Sequence, residues 1–87
     1  MGILDNKVAI VTGAGRGMGS TIARRAAEQG AKVVLTYHSS AKPAEDLAAE
    51  IAGMAAQADL TKPEPCEKLV ADTIAKFGKV DILVNCA

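Results

Sequence analysis

The run Thr12-Gly13-Ala14-Gly15-Arg16-Gly17-Met18-Gly19 carries a glycine at every second position, and the chemistry open to such a run is the reception of a phosphate. Glycine reaches positive φ at no steric cost, and its missing Cβ lets backbone N–H groups close on an anion, an effect that a helix start reinforces. Spacing separates the kinds of phosphate site. A nucleoside triphosphate loop needs Gly-x-x-x-x-Gly-Lys-Ser/Thr, and this turn holds no Lys-Ser or Lys-Thr pair. The common dinucleotide fingerprint Gly-x-Gly-x-x-Gly also fails, because Gly13 and Gly15 are followed by Met18, and Gly15 and Gly17 by Ser20. The pattern that fits is Thr-Gly-x-x-x-Gly-x-Gly, on Thr12, Gly13, Gly17 and Gly19. A tight strand-to-helix turn that needs glycine for shape alone is the bland alternative.

The other reactive side chains offer less. Cys66, Cys86 and the single His38 match no zinc spacing and no disulfide framework, so both cysteines are expected as buried, reduced thiols. Ten basic residues balance ten acidic ones with no Lys/Arg block, which argues against nucleic acid or an anionic membrane as partner. No apolar run approaches the roughly 18 residues of a membrane span, and no signal-peptide pattern opens the chain. A soluble, cytoplasmic protein is expected.

The elements that position the glycine run follow from periodicity. Val8-Ala9-Ile10-Val11 reads as a strand buried on both faces. Met18, Ile22, Ala23, Ala26 and Ala27 recur at helical spacing until Gly30, which suits a left-handed stop. Lys32 to Tyr37 is a second strand, closed by His38-Ser39-Ser40. A second helix is predicted from about Lys42 to Glu50, with Ser40 as a possible cap and Gly53 as its end. Met54 to Asp59 is a strand of weak propensity, carried by its position between helices. Thr61, Pro63 and Pro65 open a third helix with Cys66, Leu69, Val70, Thr73, Ile74 and Phe77 on its apolar stripe, stopped by Gly78. Val80 to Asn85 is the last buried strand.

The order β-α-β-α-β-α-β demands parallel strands. It predicts an α/β fold, the first half of a doubly wound, Rossmann-type sheet with strand order 3-2-1-4, and residues 1–87 are read as the N-terminal part only of such a domain. A complete open-sheet enzyme domain can run to about 200–250 residues, so 87 reads as a truncated first half. In such a half the fourth strand pairs with the first and leaves an apolar edge exposed, and the third helix stands alone on its face; the isolated chain is expected to associate or aggregate.

Taken together these residues resemble the short-chain dehydrogenase/reductase family over essentially the whole chain, with a flavour of its 3-oxoacyl-carrier-protein reductase-like members. Three motifs stand in family order: the glycine turn, Asp59-Leu60, and Asn85-Cys86-Ala87. Cys86 departs from the family's usual Asn-Asn-Ala-Gly, a change the resemblance implies is tolerated because that segment supports the cofactor through backbone and the first Asn. The resemblance further implies that Asp59 bonds the adenine amino group with Leu60 near the ring, although a helix-capping Asp59 is a plain alternative. It gives Thr12 a structural role, tying the glycine turn to the segment near Asn85.

Cofactor choice is read at the end of the second strand, where a carboxylate would bind the 2′-hydroxyl of NAD. Tyr37 stands there instead, His38, Ser39 and Ser40 offer donors, and Arg16 suits a 2′-phosphate; a basic residue just before Gly17 is also the family's sign of NADP. NADP is therefore expected over NAD. Arg16 as a solvated surface charge is the alternative.

The family's proton chemistry, a Tyr-x-x-x-Lys motif with a preceding Ser, maps to nothing here: Tyr37 is the one tyrosine, and Ala41 follows it four residues on. No catalytic or metal-ligating residue is therefore named. At 2% aromatic content, Tyr37 and Phe77 cannot line a nicotinamide and substrate pocket, so that lining is expected downstream. The implied whole is an oxidoreductase exchanging hydride with a small carbonyl or alcohol substrate, and a homo-oligomer when complete. A stand-alone, non-catalytic nucleotide-binding module, or an inactive truncation product, remains the alternative.

Overall fold

The computed structural model describes residues 2–13, 17–38 and 41–86. Its elements are β1 (Val8–Thr12), α1 (Gly17–Glu28), β2 (Lys32–Tyr37), α2 (Ala41–Ile51), β3 (Met54–Gln57), α3 (Pro63–Phe77) and β4 (Ile82–Asn85). The β-branched run of β1 is buried at every position, which requires neighbours on both edges and cover on both faces. The sheet supplies the first with the order β3-β2-β1-β4, all pairs parallel. This is the expected 3-2-1-4 arrangement.

Alternation along the strands divides the core in two. Val11, Val33 and Leu35 pack against Ala23 of α1 and Leu47 and Ala48 of α2. On the other face Ile10 and Val34 meet Leu69 of α3, which is the one helix on that face among the described residues. The register that matters for the site is Ala9 opposite Ile82 through Thr12 opposite Asn85.

Several expectations shift. Met18, expected on the apolar stripe of α1, is 75% exposed: Gly19 is the buried position of that first turn, and a neighbour about 100° round the helix looks outward. Val70 and Ile74 of α3 are 43% and 46% exposed, since the buried positions of that helix are Leu69 and Thr73 and the next residue lies about 100° round. β3 stops at Gln57 and β4 starts at Ile82, each shorter than its apolar run. Cys66 and Cys86 are free and only half-buried, so neither is the fully buried thiol expected. No helix among the described residues is long and apolar enough to cross a membrane.

The end of α2 corrects the role of Gly53. The left-handed residue there is Ala52, at φ 57, while Gly53 serves a different need: a Cβ on it would lie 2.5 Å from the Val33 carbonyl oxygen. Gly53 thus admits the close approach of the α2–β3 turn to β2. Two opposite outcomes are expected in denaturant melts: Gly53→Ala destabilises by about 1–3 kcal/mol through overpacking against backbone, and Ala52→Gly stabilises by up to about 1 kcal/mol by relieving the positive φ.

The β4 edge makes another expectation concrete. Leu83 is 66% exposed on a strand with β1 on one side and, among the described residues, nothing on the other. Open apolar edges recruit further strands. The 87-residue chain alone is expected to sediment as dimers or larger species, and Leu83→Lys to shift it towards monomer; an unchanged distribution would contradict this.

Candidate functional site

Parallel pairing brings the carboxyl ends of all strands to one edge of the sheet. From β1 the chain moves outward to β2 and β3, then returns to pair β4 on the opposite side. In open α/β sheets the crevice above such a reversal is where ligands bind. Its floor is Thr12, the last residue of β1.

The Thr12 side chain joins the two halves of the crevice. Its hydroxyl lies 3.0 Å from Asn85 Oδ1 and 3.3 Å from the Val84 carbonyl. It has one proton to give, and the shorter contact favours Asn85. The same oxygen accepts the Cys86 N–H at 2.9 Å. The expected tie between the glycine turn and the Asn85 segment is therefore present in the geometry, and Thr12 itself is buried.

Gly13 follows at φ 62 and Gly17 at φ 66, a backbone region that other residue types enter only at a cost. A Cβ on Gly17 would meet nothing within 4 Å, so backbone conformation rather than crowding calls for glycine there. Gly17 opens α1, and the first N–H groups of a helix have no acceptor within it and sit at its positive end. Gly13 N–H also points to the buried Thr36 hydroxyl of β2, at a long 3.4 Å. Ala14, Gly15 and Arg16 between them, and Ser39, Ser40 and Ala87, lie outside the described residues.

Beside this turn is a cleft of about 230 Å³ lined by Gly13, Thr36, Tyr37, His38, Ala58, Asp59, Leu60 and Thr61. Whole small-molecule sites run to roughly 300–1,000 Å³, so this one suits a single heterocycle. Tyr37 and Leu60 are half-buried and His38 is exposed; the Gln57 amide donates to the His38 carbonyl at 3.1 Å and ties the ends of β2 and β3. Asp59 is not the cap of α3. The N-cap is Lys62, without a side-chain cap bond, and Asp59 instead closes a tight turn: its Oδ1 accepts the Thr61 hydroxyl at 2.6 Å and the Thr61 N–H at 3.0 Å. The hydroxyl bond first, then the backbone bond, holds its carboxyl below the ordinary aspartate value, with His38 and Lys62 assisting. Both bonds converge on one oxygen, Oδ1.

The residues brought together are thus Thr12, Gly13, Asn85 and Cys86 at the crevice floor, Gly17, Met18 and Gly19 at the helix start, and Tyr37, His38, Asp59 and Leu60 around the cleft. Sequence reasoning passed over Thr36, whose hydroxyl is legible only once β2 is aligned beside β1.

A parallel 3-2-1-4 sheet with a glycine turn after its central strand is a Rossmann-type α/β fold. A family model described as short chain dehydrogenase matches residues 7–87, and the chain belongs to that family. Versicolorin reductase 1 of Aspergillus parasiticus is 47% identical over 89 aligned positions, covering 97% of this chain and 34% of that protein. A hydroxynaphthalene reductase-like protein of Metarhizium robertsii is 44% identical over 94% of this chain and 33% of its own length. The chain therefore spans about a third of the curated relatives it matches. Among solved structures, a short chain dehydrogenase from Burkholderia cenocepacia in complex with NADP superposes with TM-score 0.90 at 41% identity, over 94% of this chain and 36% of that one. A 3-ketoacyl-(acyl-carrier-protein) reductase from Brucella melitensis complexed with NADH gives 0.85 at 45%, over 92% and 33%.

Two outcomes test this geometry. Thr12→Val keeps the shape and strands the Cys86 N–H, so it should cost about 1–3 kcal/mol in denaturant melts, while Thr12→Ser should cost less. For Asp59, whose folded value is depressed, the turn is fully formed above the ordinary aspartate value of about 3.9 and is lost as pH falls through the lowered folded value; the Thr61 amide shift, followed by NMR, should report that transition and lose it in Asp59→Asn.

Proposed function

We propose that this chain supplies the dinucleotide-binding part of an oxidoreductase that moves hydride between a nicotinamide and a carbonyl or alcohol substrate, and that its cofactor is NADP(H). The observation that carries this reading is the Thr12 junction to Asn85 and Cys86, lying at the strand reversal beside a glycine turn at positive φ. The residues present fit such a group. The N-terminal end of α1 suits a pyrophosphate, and a cleft of about 230 Å³ lined in part by Ala58, Asp59 and Leu60 suits adenine. The cofactor, when bound, supplies or receives the hydride.

The remaining roles belong to this chain's own groups. Backbone N–H groups from Gly13 to Gly19 hold the pyrophosphate, Asp59 Oδ2 meets the adenine amino group, and Asn85-Cys86-Ala87 border the nicotinamide side through backbone. The relatives complexed with NADP and with NADH support a nicotinamide dinucleotide in general. The preference for NADP rests on Tyr37 at the end of β2, which leaves no carboxylate to repel a 2′-phosphate, and on Arg16, His38, Ser39 and Ser40 as the donors the sequence offers. Lacking a Tyr-x-x-x-Lys pattern, the 87 residues bind and orient, and proton transfer falls to residues outside them. In the same reading the whole enzyme is cytoplasmic, self-associates into a homo-oligomer, and takes a small-molecule substrate rather than nucleic acid or membrane, in keeping with the balanced charge. That same missing pattern favours one second reading, a non-catalytic nucleotide-binding module.

The test is fluorescence titration of NADPH and NADH against the wild-type protein and Arg16→Ala. A guanidinium-to-phosphate contact predicts that Arg16→Ala weakens NADPH by roughly tenfold or more and leaves NADH nearly unchanged; equal losses would refute the cofactor preference. A full-length protein that binds NADPH but oxidises it with no carbonyl substrate favours the second reading.

A further inference from the structure

The pairing of β1 with β4 is held at both ends by polar side chains, and only one of those ends lies at the proposed cofactor site. At the far end Asp81, the residue before β4, donates its N–H to the Val8 carbonyl at 2.9 Å and accepts the Val8 N–H on Oδ2 at 2.9 Å. Two bonds from one residue to one residue close a ring. Lys79 Nζ lies 3.1 Å from the same Oδ2. Val8 is buried, so its N–H has no water to turn to, and the carboxylate takes the place of a ladder acceptor just ahead of the first aligned residues, Ala9 and Ile82.

Register is the property at stake. Ile82-Leu83-Val84 is apolar throughout, and β4 is half exposed in alternation, so side-chain burial tells one alignment from the next only weakly. A slip of two residues would keep the same faces inward and carry Asn85 and Cys86 roughly 6–7 Å from Thr12. Polar contacts that fit a single alignment are what exclude it.

We propose that Asp81 is a positioning residue of the cofactor site: its ring with Val8 sets the register of β4 on β1 and thereby brings Asn85 and Cys86 against the Thr12 hydroxyl at the opposite end of the strand. The proposal rests on the reading of that end as the dinucleotide site. The Val8 N–H, and after it the Lys79 ammonium, hold the Asp81 carboxyl below the ordinary aspartate value against opposing desolvation, so the charged acceptor is in place at neutral pH. Val80 to Asn85 read from sequence as one strand hides this; only the pairing exposes Asp81 as the residue just ahead of it.

Amide hydrogen exchange and NADPH titration on the whole protein decide the matter, with Asp81→Ala, Asp81→Asn and Lys79→Met. Asp81→Ala should lose protection at Val8 and also at the distant Cys86 amide by roughly tenfold or more, and weaken NADPH by a similar factor, while Val34 and Leu35 in β2 keep their protection. Asp81→Asn retains an acceptor oxygen and should restore both readouts, and Lys79→Met should change neither. Cys86 staying protected when Val8 is released would overturn the proposal, and so would a loss in Asp81→Ala that spreads equally to Val34 and Leu35, which marks general destabilisation. Should the wild type bind no NADPH, the cofactor reading fails, and the Cys86 exchange still decides whether Asp81 sets the register.

Discussion

β1 has no exposed position between Val8 and Thr12, and a backbone so placed must satisfy its donors and acceptors on both edges while helices cover both faces. Its β2 edge is filled by a strand one helix away in sequence. Its β4 edge is filled by a strand the chain reaches only after α2, β3 and α3. That demand produces the reversal of strand order, and the reversal opens the crevice at the carboxyl end. Fold and site therefore share one cause, the burial of five residues.

Polar groups finish what burial begins. The apolar core sorts side chains between faces, with Val11 and Leu35 on one and Ile10 and Val34 on the other, but it is nearly silent about sliding along the strand. Thr12 and Asp81 speak to that coordinate, one at each end of the β1–β4 pair. Surface ion pairs such as Arg24 with Glu50, both about half exposed, link α1 to α2 and contribute little by comparison.

Much of this was legible in the residues. The element order, the strand order and the placement of the glycine turn follow from short β-branched runs alternating with amphipathic stretches, and physical necessity links each to the next. Legibility stopped where the decisive partner was distant or was backbone. Gly53 looks like a helix stop in sequence, yet its reason is the Val33 carbonyl, and the left-handed residue is Ala52, which no propensity would single out. Asp59 read as a ligand group with a helix cap as the alternative; the turn to Thr61 and the Lys62 cap position exclude the second. Met18, Val70 and Ile74 kept helical spacing but stand one residue from the inward positions Gly19, Leu69 and Thr73. Asp81 sat inside an apolar run, and its bond to Val8 spans 73 positions.

That separation also has a meaning in time. The β1–β2 contact needs a loop closed by one helix, whereas the β1–β4 contact closes almost the entire chain, and loop closure over long separations carries an entropic cost that must be met before the contact rewards it. The parallel β1–β2 pair with α1 can thus form early and leave one edge of β1 waiting. The crevice does not exist in that intermediate arrangement, since its far wall is β4. The carboxyl-end crevice is complete only when β4 has paired with β1, so a molecule that needs both of its walls reads out the closure of the sheet.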